Sequence, residues 1–261
     1  MTHGPFVRIE RDGPHATVII DRQDKLNALN PEVIDGLGSA FGELREDPGV
    51  LGVILTGAGE KAFVAGADIA VLAEMDSMEG VRVSRQGQEV FRAIERFPRP
   101  VVAAVGGFSL GGGFELALAC HLRVASENAR FGLPEVGLGI IPGYGGTIRL
   151  ARLVGLGRAI ELTLTGDRFD AVRAAELGIV TRVVPPGEAR AAAEELLGRI
   201  TRNGPEAVRL ALESVYRALD TTTEEALAHE SSLFGLLAST SDMREGMTAF
   251  LEKRKPTFQG R

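Results

Sequence analysis

The sequence predicts an α/β fold in which strand, strand and helix repeat, followed by an all-helical C-terminal region. Strand-like runs alternate with segments of helical spacing through about residue 188, and from there only helical patterns remain. The fully apolar run Val101–Val105 is typical of a buried parallel strand. We therefore expect an α/β body over residues 1–200 that carries the site, and a helical region over residues 201–261.

The N-terminal elements follow from alternation and capping. Phe6–Glu10 alternates apolar and polar residues, and Ala16–Ile20 is rich in β-branched residues, so both are predicted strands. Asn30 and Pro31 form an N-cap and first-turn pair that opens a helix. A third strand is predicted within Gly49–Leu55.

The central elements are separated by proline and glycine. A helix over about Gly80–Phe97 is stopped by Pro98, and a glycine turn is predicted after Val105. A short apolar helix at Phe114–Cys120 then precedes a strand at Leu122–Ala125. The later predicted elements are a helix at Ala171–Leu177, a strand at Val180–Val184, and helices at Ala189–Ile200, Pro205–Leu219, Thr223–Leu237 and Asp242–Phe250.

Composition excludes several classes of protein. The net charge of −6 argues against a nucleic-acid-binding protein, which needs a basic surface to displace counterions from phosphates. Cys120 is the single cysteine, so neither an intrachain disulfide nor a cysteine metal site is expected, and the four histidines lack metal-ligand spacing. No signal peptide and no membrane-spanning apolar stretch is recognisable, and we expect a cytoplasmic protein.

Three segments carry residues that propensity alone does not explain. Small residues in Ala65–Ile69 would let a ligand approach backbone N–H groups closely. Three consecutive glycines, Gly111–Gly113, directly precede an apolar helix that has Glu115 in its first turn. Glu135 stands among apolar and glycine residues, where a buried acid is costly unless it is paired or functional.

Together these segments supply the parts needed to hydrate an enoyl thioester. Two backbone N–H groups beside glycines would form an oxyanion hole for the charge that develops on the thioester oxygen. Two glutamates would bind water and move protons, since neighbouring carboxylates do not both ionise freely. The residues alone leave open whether each acid is functional or only complements a helix dipole.

The chain resembles the crotonase superfamily and, within it, the enoyl-CoA hydratases. The resemblance runs over nearly the whole chain and rests on several short motifs in order. These are Asn27–Asn30, Ala62–Ile69, Gly111–Glu115, Pro134-Glu135, Ile141–Gly143, Leu164–Asp167, Arg244–Gly246 and Phe250–Arg254.

The resemblance implies a role for each motif. Ala67 and Gly112 would supply the oxyanion-hole N–H groups, and Glu115 and Glu135 would be the catalytic pair. The implied residues of the substrate and CoA groove are Lys25, Leu26, Ala65, Asp68, Ile69 and Gly111. The resemblance also implies a spiral of strand–strand–helix turns, a C-terminal region that builds trimers, usually paired into hexamers, and no metal or redox cofactor, coenzyme A being part of the substrate.

Two positions bear on CoA binding. Many relatives carry a lysine where this chain has Ala70, so one cationic contact to CoA is missing from the motif. Lys253 would contribute charge to the CoA site of a neighbouring subunit.

Other functions remain as alternatives. Gly107–Gly111 fits the nucleophile motif of a serine hydrolase, for which Ser109, Asp220 and His229 are formally in the required order. Gly57–Ala62 fits a dinucleotide-binding motif, but no helix is expected after it. An enoyl-CoA isomerase, or a relative that only binds acyl-CoA, shares the fold, although retention of both glutamates favours a hydratase.

Overall fold

The computed structural model describes residues 1–261, which form two compact units. One unit comprises Met1–Phe97 and Val101–Glu194, and the other comprises Pro98–Pro100 and Glu195–Arg261. Their boundary lies slightly before the predicted residue 200. None of the helices is both long enough and apolar enough to cross a membrane.

The strands are short and are confined to the first unit. They are β1 Thr2–His3, β2 Val7–Asp12, β3 His15–Ile20, β4 Gly52–Gly57, β5 Ala62–Val64, β6 Val101–Val105, β7 Phe108–Leu110, β8 Leu122–Ser126, β9 Arg130–Gly132, β10 Phe169–Asp170 and β11 Arg182–Val184.

The helices lie between strand pairs and then follow one another to the C-terminus. They are α1 Pro31–Glu46, α2 Ile69–Ala73, α3 Ser77–Glu95, α4 Gly112–Ala119, α5 Gly146–Val154, α6 Leu156–Thr165, α7 Ala171–Glu176, α8 Ala189–Thr201, α9 Pro205–Arg217, α10 Thr223–Leu237 and α11 Ser241–Leu251. Two 3-10 helices occupy Gln23–Lys25 and Pro134–Leu138.

The strands form two sheets. The larger has the order β1-β2-β3-β4-β6-β8-β11 and is parallel from β3 onward, whereas the smaller has the order β10-β9-β7-β5. Consecutive strand pairs divide between the sheets, since β4, β6 and β8 enter the larger one and β5, β7 and β9 the smaller one. This arrangement confirms the predicted strand–strand–helix spiral.

The small sheet determines where the functional loops emerge. β5, β7 and β9 are mutually parallel, so their carboxyl ends lie at the same edge. The chain leaves those ends toward α2, α4 and the 3-10 helix at Pro134–Leu138, respectively. Three separate turns of the spiral therefore deliver residues to one place.

Local sequence signals explain several elements. The Asn30 side chain accepts a hydrogen bond from the Val33 N–H at 3.0 Å, as expected of an N-cap, and Pro31 is the first residue of α1. All residues of Val101–Val105 are buried in the middle of the larger sheet. Both predictions made from these residues are confirmed.

The predicted glycine turn after Val105 is only partly correct. The segment contains β7, which pairs with β5 on one side and with β9 on the other. A strand of three residues is too short to show an alternating pattern, and the glycines on both sides of it are typical of a turn. The helix that follows also begins earlier than expected, at Gly112 rather than Phe114.

A buried arginine holds the far end of α4. The Arg123 guanidinium donates hydrogen bonds to the carbonyl oxygens of Ala117 (3.2 Å) and Cys120 (2.7 Å), and also to that of Ile179 (2.5 Å). Carbonyl groups at a helix C-terminus have no partner within the helix, so this contact completes α4 and fixes its axis.

The second unit is helical, as the sequence predicts. Thr222 and Glu225 form a reciprocal capping box at the start of α10. The buried Asp242 carboxylate accepts hydrogen bonds from the backbone N–H groups of Gln259 and Gly260, both at 2.7 Å, and so fastens the C-terminal residues to α11. Large apolar side chains on α10 and α11 remain exposed in the single chain, among them Leu227, Phe234, Met247 and Phe250.

Candidate active site

The loop after β5 leaves one backbone N–H, that of Ala67, unpaired beside a cavity. Leu29 N–H donates to the Gly66 carbonyl, and Asp68 N–H donates to the Leu29 carbonyl, both at 2.8 Å. Because these two groups face Leu29 in a parallel bridge, the N–H of Ala67 between them faces the opposite side. Ala67 lies in the cavity wall on that side.

The loop after β7 provides a second N–H group at the start of α4. Gly111 has a φ of 49°, and the helix begins at Gly112. The first N–H groups of a helix have no partner within it and form the positive end of the helix dipole. Gly112 also lies in the cavity wall, so its N–H is available to a ligand.

Neighbouring atoms leave no room for a side chain at Gly111 or Gly113. A Cβ on Gly111 would lie 2.8 Å from Oε1 of Glu135, and one on Gly113 would lie 2.0 Å from the Val64 carbonyl oxygen. Both distances are shorter than van der Waals contact allows. The glycine run thus lets the backbone of α4 approach both a carboxylate and the β5 strand.

Glu115 is buried and held by the backbone. Its residue exposure is 1%. Its Oε1 accepts hydrogen bonds from the N–H groups of Tyr144 (2.8 Å) and Gly146 (2.7 Å). Burial raises the pKa of Glu115, while these two N–H donors and the charge of Arg149 oppose that rise.

Glu135 is placed in a different environment by the 3-10 helix at Pro134–Leu138. Its residue exposure is 8%, and its Oε2 is buried without a hydrogen-bond partner. Burial, together with the nearby negative charge of Glu115, raises the pKa of Glu135 to about 7. The two carboxyl groups therefore differ in hydrogen bonding although both are buried.

These groups surround one large cavity of about 1030 Å³. Its wall contains the predicted residues Ala65, Ala67, Ile69, Gly111, Gly112, Glu115 and Glu135. Much of the remaining wall is apolar and comes from α2, α3 and the segment at residues 138–142. A cavity of this kind, with convergent polar groups at one point, is typical of a small-molecule site.

Three residues predicted to bind CoA lie outside this wall. Asp68 caps α2 and forms an ion pair with Arg22 at 2.9 Å, and the Arg22 guanidinium lowers the pKa of Asp68. Lys25 is exposed, and the Leu26 carbonyl accepts a hydrogen bond from the Ala65 N–H at 3.1 Å. Contacts of Lys25, Leu26 and Asp68 with CoA stay predictions.

The sequence did not reveal the residues that support the turn at residues 143–146, whose N–H groups hold Glu115. Ser84, Gln88, Glu95 and Arg149 contact this turn or one another. The only signal in the sequence was the glycine pair Gly145-Gly146. The polar residues of α3 look like an ordinary solvated helix face.

The serine-hydrolase alternative does not fit the structure. Ser109 lies within β7, its exposure is 0%, and its hydroxyl donates to the Gly113 carbonyl oxygen at 3.3 Å. The imidazole of His229 faces Glu213, with 3.2 Å between His229 Nε2 and Glu213 Oε1. The dinucleotide-binding alternative also fails, because β4 is followed by the strand β5 and not by a helix.

Comparison with known proteins gives a consistent result. The model of the enoyl-CoA hydratase/isomerase family matches residues 13–261. The short-chain-enoyl-CoA hydratase of Clostridium acetobutylicum is 49% identical over 249 residues, which cover 95% of each chain. The crotonyl-CoA hydratase of Syntrophomonas wolfei is 46% identical over 250 residues, 96% of each chain.

The fold agrees with solved structures as well. The crystal structure of an enoyl-CoA hydratase from Bacillus anthracis superposes with a TM-score of 0.95 at 38% identity, covering 98% of this chain and 100% of that one. Such coverage leaves no large part of the fold unmatched. The chain belongs to the enoyl-CoA hydratase/isomerase family.

Proposed function

We propose that this protein is an enoyl-CoA hydratase that adds water to a 2-enoyl-CoA and forms a 3-hydroxyacyl-CoA. The observation that carries the proposal is the meeting of two backbone N–H donors with two differently held glutamates at one cavity. The similarity to the short-chain-enoyl-CoA hydratase of C. acetobutylicum and the crotonyl-CoA hydratase of S. wolfei supports a short acyl chain, such as that of crotonyl-CoA.

The N–H groups of Ala67 and Gly112 would bind the thioester oxygen. Attack of water on the β-carbon moves electrons through the double bond onto this oxygen, which becomes an enolate. Each well-placed donor to such an oxyanion is worth about 3 to 4 kcal/mol in the transition state. The dipole of α4 adds to this stabilisation because Gly112 is its first residue.

The two glutamates would divide the proton transfers between them. Glu115, whose Oε1 accepts two N–H bonds, is held as the carboxylate that takes a proton from water. Glu135, whose Oε2 lacks a hydrogen-bond partner and whose pKa is about 7, is the acid that protonates the α-carbon. One proton then returns from Glu115 to Glu135, so one water is consumed per turnover.

The placement of both carboxyl groups at one cavity predicts the stereochemistry. We expect syn addition, in which the hydroxyl group and the proton on the α-carbon are added to the same face of the double bond. Hydration of crotonyl-CoA in deuterated water, followed by analysis of the deuterated product, would test this.

The function is tested by the loss of ultraviolet absorbance as the conjugated thioester of crotonyl-CoA is hydrated. We expect Glu115→Gln and Glu135→Gln each to lower kcat by about 10² to 10⁴-fold, because each removes an acid–base group, while crotonyl-CoA still binds. Glu127→Gln, a change in the exposed turn after β8, is the control and should keep the wild-type rate. Near-normal rates in both glutamate variants would refute the proposed mechanism.

Self-association belongs to the same proposal. The exposed apolar side chains of α10 and α11 form a surface that a single chain leaves in contact with water. We expect a homotrimer or a pair of trimers, and light scattering on the purified protein measures this directly. A monomer would refute the expectation. A cytoplasmic location stays a prediction.

A further inference from the structure

A turn at residues 143–146 presents the two N–H groups that hold Glu115, and one face of α3 supports it. Ser84 Oγ donates to the Gly143 carbonyl oxygen at 2.6 Å, and Gln88 Nε2 donates to the same oxygen at 2.9 Å. Residues 84, 88, 91 and 95 lie on the same side of a helix by their spacing. The support therefore runs along about three turns of α3.

The Tyr144 ring is wedged between two glycines. A Cβ on Gly87 of α3 would lie 2.3 Å from Cδ1 and Cε1 of this ring, and a Cβ on Gly112 would lie 3.4 Å from Cδ2. The ring also meets Phe91 edge-on, with a centroid separation of 5.3 Å. The ring thus sets the spacing between α3 and the first residue of α4.

Arg149 connects the turn to the end of α3. Its Nη1 donates to the Tyr144 carbonyl oxygen at 2.8 Å, and its Nη2 donates to Glu95 Oε2 at 3.0 Å. The Glu95 carbonyl oxygen in turn lies 3.1 Å from Nε2 of the half-buried His121. A planar guanidinium fixes two partners in one geometry, which a lysine ammonium does not do.

We infer that Arg149, held by Glu95, is a positioning residue for the hydration reaction. It fixes the Tyr144 carbonyl group, which lies in the turn between the N–H groups of Tyr144 and Gly146 that hold Glu115 Oε1, and so orients the carboxylate toward the attacking water. Neither Arg149 nor Glu95 lies in the cavity wall, so neither touches the substrate. The inference rests on the proposed function.

The charge of Arg149 gives this role a measurable consequence. The charged or titratable groups near Glu115 are Arg149 on α5, Glu135 on the 3-10 helix and the Tyr144 phenol. Arg149 opposes the burial that raises the pKa of Glu115, so its removal raises that pKa further. Since Glu115 must be ionised to accept a proton, the acid limb of kcat/KM then moves to higher pH.

The experiment compares pH profiles of crotonyl-CoA hydration in the intact protein. Arg149→Met should lower kcat by about 10²-fold through misplacement of Glu115, leave KM close to wild type and move the acid limb to higher pH. Arg149→Lys keeps the charge, so its acid limb should stay near that of wild type, with an intermediate kcat. Arg45→Met is the control and should keep the wild-type profile, because Arg45 also donates at the end of α3, to the carbonyl groups of Ala93 and of Arg96, the residue after the helix.

A second variant should move the acid limb of the pH profile in the direction opposite to that of Arg149→Met. Glu95→Gln keeps an oxygen that accepts from Arg149 but removes the negative charge, so the acid limb should move to lower pH. An Arg149→Met protein that is slower with an unmoved acid limb would show a merely structural role and overturn the inference. An inactive wild-type protein would refute the proposed function instead, which keeps the two failures distinct.

Discussion

Glu115 and Glu135 face the same cavity but are supported in opposite ways. Glu115 lies in a helix buried along its whole length and receives two backbone N–H bonds from a turn that α3 and α5 hold in place. Glu135 lies in a short 3-10 helix, and its Oε2 accepts no hydrogen bond. The contrast teaches that two residues of the same type can be given the different roles proposed here, base and acid, by their surroundings.

Short of replacing Glu115 or Glu135 themselves, a large effect should come from crowding each carboxyl group through its glycine neighbour. Gly111→Ala places a Cβ 2.8 Å from Glu135 Oε1, and Gly146→Ala places one 2.8 Å from Glu115 Cγ. Displacement of a reacting group by even 1 Å costs about 10²-fold in rate, so we expect both variants to lose about that much kcat in the crotonyl-CoA assay. Gly111 also has a positive φ, so its variant should be the less stable.

Gly42→Ala is the matched control for these two changes. Gly42 is exposed on α1, and an added Cβ meets nothing within 4 Å. This variant should keep full activity and be more stable by about 0.5 to 1 kcal/mol, because alanine favours the helix. If Gly111→Ala and Gly146→Ala kept full kcat as Gly42→Ala does, the exact positions of the two carboxyl groups would not control the rate.

A smaller effect, on the pH dependence of kcat/KM, distinguishes the roles proposed for Glu115 and Glu135. Because Glu135 must carry the proton, kcat/KM should fall about tenfold per pH unit above its pKa of about 7. Glu135→Asp alters the surroundings of this acid and should move the basic limb, whereas Arg149→Met moves the acid limb. A basic limb that stays in place in Glu135→Asp would contradict the assignment of the acid.

The smallest effect concerns folding stability. The pKa of Glu135 is raised from 4.5 to about 7 in the folded protein, so protonated Glu135 favours the folded state. This contribution is complete below 4.5 and is lost as the pH rises through about 7. Glu135→Gln should therefore gain stability relative to wild type above pH 7, on the order of 2 kcal/mol after solvent screening, in urea unfolding. If the free energy of unfolding depended on pH equally in wild type and in Glu135→Gln, this prediction would be wrong.

The sequence predicted the spiral and several of the residues that meet at the cavity because both leave local signals. Val101–Val105 shows a buried strand by its uniform apolarity, and the glycines before Glu115 mark a close approach of the backbone. By contrast, β7 has three residues and pairs only with distant strands, so no local pattern predicts it. The role of Arg149 is equally invisible, because it depends on contacts with Tyr144 and Glu95, which lie far apart in sequence from each other.

The parallel strands of the small sheet separate the chemical tasks among independent loops. The loops after β5 and β7 carry the proposed oxyanion donors Ala67 and Gly112, while the loop after β9 carries the proposed acid Glu135. A substitution in the third loop can change which proton moves without altering how charge on the thioester oxygen is stabilised. The residues proposed for oxyanion binding and for proton transfer by Glu135 thus reside in separate loops, and each loop can be altered without rebuilding the others.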